Sequence, residues 1–199
     1  MSHPVPRRAL LLSALLVAVG AQAQDAPRLI EGQAFAGHMS VAGTELRLNG
    51  TGLRAVAWFK GFVAGLYLTG RASTPAQVLA QSGPKRLELR MLQEVPAAEF
   101  VKALQRGIDR NATPDERVAL AARVQRFAEQ ISATGTVRKG AVIDLDLDPQ
   151  RGLLFTMNGT LRGAPVEGDD FYAALLRAFI GEHPYDERLK AGLLGSPPR

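Results

Sequence analysis

Arg54 is the only charged side chain between Leu48 and Phe59, a stretch otherwise made of apolar, small and uncharged residues. A guanidinium entering an apolar strand must be solvated, paired or used on a ligand, because burying it alone costs too much. Its planar fork of donors suits a carboxylate or another oxyanion. Three uses stay open: contact with an anionic ligand, a structural pair with a carboxylate such as Glu45 or Asp109, or stabilisation of an anion in catalysis. Other chemistry-bearing residues point to less. Asp144, Asp146 and Asp148 alternate with Leu145 and Leu147. A Ca²⁺ site asks for a glycine-bearing loop and more ligands than that, so a solvated strand face that discourages edge pairing is expected. His38 and His183 are far apart in sequence, and no metal site is expected from them. Ser40 and Ser132 lack the surroundings of a nucleophile. Gly50 and Gly52 precede no helix start, so they make no phosphate cradle. Trp58 and Phe59 are expected in the core or in the wall of a cleft. Tyr67 is expected to be packed, with its hydroxyl bonded near the sheet edge. No cofactor is implied.

These residues sit in a chain whose first 23 positions read as an export signal. Arg7 and Arg8 form a basic start, Ala9–Val19 is an apolar run, and Ala21-Gln22-Ala23 supplies a small-x-small cleavage pattern. The run is shorter than the roughly 20 apolar residues a spanning helix needs, so no integral membrane segment is expected after cleavage. Cysteine is absent, which excludes a disulfide framework and a lipid-modified cysteine. Residues 24–199 then form a single domain, exported and expected in a bacterial periplasm. Removing Arg7 and Arg8 from 24 basic residues leaves 22 against 19 acidic ones, a formal +3. Arg106, Arg110, Arg117, Arg123, Arg126 and Arg138 are interspersed with acids. They read as solvated faces rather than a phosphate-binding stripe, and no nucleic-acid partner is expected.

The elements that position the site follow from periodicity and punctuation. Ile30–Phe35 reads as one short strand, and Met39–Leu48 as a hairpin turning at Ala42-Gly43. Asn49-Gly50-Thr51-Gly52 reads as a turn, followed by strands over about 53–59 and 62–69. Thr74-Pro75 starts a short helix to Gln81. Lys85–Gln93 alternates as a half-buried strand. A helix runs from Pro96 to about Asn111. Thr113-Pro114 with Glu116 forms a capping box for the next helix, which ends near Thr134. Strands follow at 141–147 and 152–157, with Asn158-Gly159 as a hairpin turn. Helices at 169–181 and 185–194 close the chain. The order gives an α+β fold, a largely antiparallel sheet with helices packed on one face.

Several segments within that order resemble the chalcone isomerase family, specifically its bacterial chalcone isomerase-like branch. They are Gly52-Leu53-Arg54, Lys60–Leu68 (KGFVAGLYL), Leu87–Met91 before a helix containing Phe100, and Phe171–Gly181 (FYAALLRAFIG). The resemblance spans about Ile30 to Leu194. It implies an open-faced β-sandwich with a ligand cleft between sheet and helices, and chemistry that needs no cofactor. It places Arg54 on the arginine that steadies the anion in the family's enzymes. The partner positions depart: Phe62 stands for a threonine, Phe100 for a tyrosine, Gly107 for an asparagine and Ala178 for a serine or threonine. Losing one fixed donor from an anion site typically costs about 3–4 kcal/mol of barrier lowering. A fatty-acid-binding branch of the family holds the ligand carboxylate with an arginine and a tyrosine, and Phe62 also stands at that tyrosine. The expectation is a non-catalytic binder of a small apolar or amphipathic, fatty-acid-like ligand, with Arg54, Phe62 and Phe100 in the site. An intramolecular lyase or isomerase on another substrate, or a protein-interaction module whose cleft is filled, are the alternatives.

Overall fold

Alternation in the central strands sends Leu66, Leu87, Leu145 and Phe155 to one side of a sheet, where cross-strand register aligns them into an apolar row. The computed structural model describes residues 27–196; the expected signal segment, residues 1–23, lies outside the described residues. In chain order the elements are β1 (Arg28–Ile30), β2 (Gln33–Phe35), β3 (His38–Val41), β4 (Thr44–Val56), β5 (Phe59–Leu68), α1 (Pro75–Ala80), β6 (Lys85–Met91) and β7 (Val95–Pro96). They continue with α2 (Ala97–Asn111), α3 (Pro114–Ser132), β8 (Thr136–Val137), β9 (Val142–Asp148), β10 (Gly152–Met157), β11 (Thr160–Leu161), α4 (Asp169–Ile180) and α5 (Glu187–Leu193). Seven strands form one antiparallel sheet in the order β11-β10-β9-β6-β5-β4-β3. The expected α+β architecture is the observed one.

The helices cover the face that carries the apolar row. Helix α4 is the centre of this layer: eight of its residues, from Phe171 to Ile180, are buried, as expected of a helix packed on nearly all sides. Phe127 of α3 meets Phe155 and Phe171 edge-on, with ring centroids 5.6 and 5.9 Å away. Gly107 lets α2 come close to α4, since a Cβ there would stand 2.5 Å from that of Ala178 and 2.6 Å from the Tyr185 hydroxyl. Both starts marked by threonine are built as the sequence indicates. Thr74 with Gln77 and Thr113 with Glu116 each close a reciprocal capping box.

The opposite face is closed differently. The sheet curls until β3 at its edge comes within 8 Å, Cα to Cα, of β9. Phe35 of the β1–β2 hairpin fills the curl with Val41, Leu46, Val63 and Tyr67. Its ring lies on Gly65, where a Cβ would meet it at 2.6 Å, and the Arg90 guanidinium stacks 5.0 Å from its centroid.

Four local expectations are corrected. Asn49-Gly50-Thr51-Gly52 is not a turn but the middle of β4, with a register irregularity between Leu48 and Gly50. The glycines are there because α5 lies directly against the strand: a Cβ on Gly50 would be 2.1 Å from the Gly192 carbonyl oxygen, and one on Gly52 2.6 Å from that of Leu189. Asn49 bonds outward to the backbone of Ala72 and Leu193 at 2.8 Å rather than turning the chain. The real turn falls at Ala57-Trp58, with Ala57 at φ 50°. Residues 30–35 form part of a two-stranded hairpin turning at Glu31-Gly32 instead of one strand. The last helix begins at Glu187, with Asp186 as its N-cap accepting from the amides of Arg188 and Leu189.

The aspartate row is not a solvated face. Asp146 is buried and takes a forked pair from Arg86, whose guanidinium also lies 3.7 Å from Asp144. Period-two alternation named the face correctly; the curl that covers it is a tertiary feature. Burial pushes the Asp146 and Glu88 carboxyls above the usual range, opposed by Arg86 and Arg90 respectively. Tyr67 belongs to a central strand, and its buried hydroxyl meets no hydrogen-bond partner among the described residues. No edge bond forms.

Candidate functional site

Between the helix layer and the sheet lies a cleft of about 260 Å³. Its floor is the buried apolar face of the sheet, Leu89, Ile143, Leu145 and Phe155, and its roof is Leu104, Phe127, Ile131, Leu175 and Phe179 from three helices. The rim is made by the half-buried Arg54 and Phe62 of the β4–β5 hairpin, facing Phe100, Ala103, Arg106 and Arg110 of α2. Arg54 and Phe62 are direct cross-strand partners, so one pair of opposed residues gives the mouth both a cation and an aromatic edge.

All three expected site residues therefore line one cleft. Arg54 also has a structural partner, though neither Glu45 nor Asp109. Its Nη1 donates to the Ala55 carbonyl at 3.1 Å and to Asp186 Oδ2 at 3.4 Å. Ligand-facing and structural roles thus coexist in one side chain. Asp186 divides its own oxygens, Oδ1 to the amides of α5 and Oδ2 to Arg54. The long distance makes this a weak hold on the guanidinium.

Gly107 and Ala178 do not line the cleft; they form the contact between α2 and α4 described above. Trp58 is neither core nor cleft wall, being 94% exposed at the hairpin tip. Phe59 beside it is 46% exposed.

Arg106 and Arg110 were not legible as rim residues. Their signal was the α2 stripe Phe100, Ala103, Arg106, Arg110, whose steps of three, three and four residues keep them on one helical face. Neither makes an ion pair among the described residues. Tyr185 was read only as a helix start. It stacks edge-on against Phe179 at 4.9 Å and donates its hydroxyl to the Ala103 carbonyl at 2.9 Å. Burial raises its pKa well above the ordinary phenol range.

The electrostatics of the cleft are one-sided. Three arginines line it and no carboxylate does. Its two hydroxyl groups have donors already committed, Tyr185 to Ala103 and Thr134 to the Ile131 carbonyl at 2.7 Å. Such a site can hold an anion at its mouth and an apolar body inside. It offers no uncommitted neutral donor for a developing oxyanion deeper in.

Among the described residues no cluster of three or more His, Asp or Glu could hold a metal ion, and no helix is long and apolar enough to cross a membrane.

Comparison with solved structures finds an Arabidopsis thaliana fatty-acid binding protein that is 15% identical, with a TM-score of 0.63. The match covers 84% of this chain and 95% of that one. At this identity the likeness concerns the fold. Comparison with the curated proteins finds no match. The family model described as chalcone isomerase-like matches residues 28–195. That span takes in every element from β1 to α5 and all the cleft residues, so the chain belongs to the chalcone isomerase-like family.

Proposed function

We propose that this protein is a non-catalytic binder of a small amphipathic carboxylate, fatty-acid-like in having an apolar chain and a terminal anion. The observation that carries the reading is the apolar cleft lined by three arginines, of which only Arg54 has an acidic partner among the described residues, Asp186 at 3.4 Å. The chain of the ligand fills the space over Leu89, Ile143 and Phe155, and the carboxylate meets Arg54 and Arg106 at the mouth. Ligand pockets commonly run from about 300 to 1,000 Å³. A cleft at or just below the low end suits a medium-length chain better than a bulky ring system. The fold shared with a plant fatty-acid binding protein supports the same class of ligand.

Intramolecular lyase chemistry is the weaker reading. Removing a single fixed donor from an oxyanion site costs about 3–4 kcal/mol, and the hydroxyls of Thr134 and Tyr185 are spent on backbone carbonyls. A module with a filled cleft is disfavoured by the open space itself. Export to a bacterial periplasm belongs to the same proposal. It rests on Arg7-Arg8, the apolar run Ala9–Val19 and the Ala21-Gln22-Ala23 pattern.

The test is calorimetric titration of the protein with dodecanoate and with dodecanol. Binding of dodecanoate, with dodecanol about tenfold or more weaker and the gap closed by the double variant Arg54→Ala/Arg106→Ala, is expected. Equal affinity for acid and alcohol would remove the carboxylate from the proposal. Cyclisation of a chalcone above background would overturn the non-catalytic reading.

A further inference from the structure

The tip of the β4–β5 hairpin carries three large apolar side chains in four consecutive residues. Val56 is 57%, Trp58 94% and Phe59 46% exposed. Nothing in the local hairpin requires them. Val56 and Phe59 merely close the ladder, and Ala57 supplies the positive φ of the turn. Exposed indoles favour the boundary between water and lipid, where an apolar ring and its N–H are both accommodated.

The loops around this tip are basic. The amides of Leu92 and Gln93 donate to the Gly61 carbonyl, and Gly140 donates to Met91, so the loop bearing Arg138 and Lys139 borders the same end of the sheet. Asn158 donates to Val142 beside it. Lys60, Arg138 and Lys139 are all exposed. The acids near this corner are Glu94, Asp186, which accepts from Arg54 at 3.4 Å, and Glu31, spent on Lys60 at 2.8 Å. That bond also ties the β1–β2 hairpin, with Leu29 71% exposed, to the tip. Arg54 stands two residues before Val56, about 7 Å along the strand, so the cleft mouth opens beside this corner.

We propose that this end of the sheet, with Trp58 at its apex, docks on the surface of an anionic lipid bilayer. The apolar tip enters the headgroup boundary while the basic loops meet the lipid charge. Docking in this pose faces the cleft mouth toward the source of an amphipathic ligand. The docking stands on the tip and its charges; only its link to ligand exchange rests on the binding proposal above.

Trp58 is the sole tryptophan of the chain, so its fluorescence reports on the apex alone. The full chain is mixed with vesicles of phosphatidylcholine, or of equal parts phosphatidylcholine and phosphatidylglycerol, each carrying brominated acyl chains. With phosphatidylglycerol, a blue shift and quenching of Trp58 are expected, reduced by salt and absent with phosphatidylcholine alone. In Val56→Ser/Phe59→Ser and in Arg138→Glu/Lys139→Glu the lipid concentration for half-quenching rises about tenfold or more. Quenching that came only from tethering by the apolar run Ala9–Val19 would be left unweakened by both variants, which separates it from docking through the tip. Unquenched Trp58, or quenching that neither variant weakens, overturns the proposal. So does a concentration-dependent emission shift without lipid, which would make the tip an interface between copies of this chain. Dodecanoate affinity in lipid-free buffer is expected to stay unchanged in both variants. Failure of docking and failure of the binding reading are therefore separable.

Discussion

Replacing Gly50 with alanine tests how α5 is held against the sheet. The new methyl would sit 2.1 Å from the Gly192 carbonyl oxygen, 2.7 Å from that of Leu193 and 2.8 Å from the Gly195 nitrogen. All three neighbours are backbone, so no side-chain rotation relieves them. Ordinary carbon contacts lie near 3.5–4.0 Å, and α5 must therefore retreat by about 1.5 Å. Leu189 and Leu193 are fully buried by this packing. Each is worth about 1.5–3 kcal/mol, and a gap of that size forfeits roughly half of the contacts. Weakening the Asn49 bond to Leu193 adds about 1 kcal/mol. Alanine returns about 0.5–1 kcal/mol through the unfolded chain. The expected net loss is about 2–3 kcal/mol, read as a lower urea midpoint at unchanged slope. Gly61→Ala is the control. Its nearest neighbour is the Phe59 ring at 3.4 Å, and a change within about 0.5 kcal/mol is expected. If Gly50→Ala is as mild as the control, α5 does not lie against β4 and the close-approach reasoning fails.

Tyr67→Phe removes a buried hydroxyl that has no partner among the described residues, and a melting curve is expected to show equal or greater stability, by up to about 1 kcal/mol. A loss of that size instead would mean that the hydroxyl is bonded. Glu116 is held below the usual carboxyl range by its bonds from Arg177 and then Thr113. Its folded pKa is lower than its unfolded one, so it stabilises above about pH 4.5 and the contribution fades as pH falls through the lowered folded value. Glu116→Gln keeps the capping box and removes the charge. It is expected to cost under about 1 kcal/mol near neutrality for this partly exposed pair, a cost that shrinks as the solution is acidified below about pH 4.5. A deficit that persists in acid would assign the effect to packing.

What could be read from the sequence was what is decided locally. Thr74 and Thr113 cap helices by hydrogen bonds within four residues, and Ala42-Gly43 and Asn158-Gly159 turn through their own positive φ. Arg54, Phe62 and Phe100 were placed by resemblance and do meet at one cleft. The misreadings share one cause: a residue type with two uses, the choice made by a distant segment. Gly50 and Gly52 look like turn glycines until α5, some 140 residues later, is known to cross them. Asp144 and Asp146 look solvated until the curl of the sheet covers them. The partner of Arg54 is Asp186, on the far side of the chain from Glu45. Trp58 went the other way, an apolar residue assigned to the interior that the turn at Ala57 carries out to the tip.

Dodecanoate titration of Ala103→Trp asks whether the ligand occupies this cleft. Ala103 is a half-buried rim residue whose backbone carbonyl, not its side chain, accepts from Tyr185, so an indole there can occupy the mouth while leaving that bond in place. One dodecanoate per chain is expected for the unmodified protein and, in the variant, affinity lowered about tenfold or more at an unchanged melting temperature. Undiminished binding by a folded Ala103→Trp protein would contradict that occupancy, because the ligand would then sit somewhere other than this cleft.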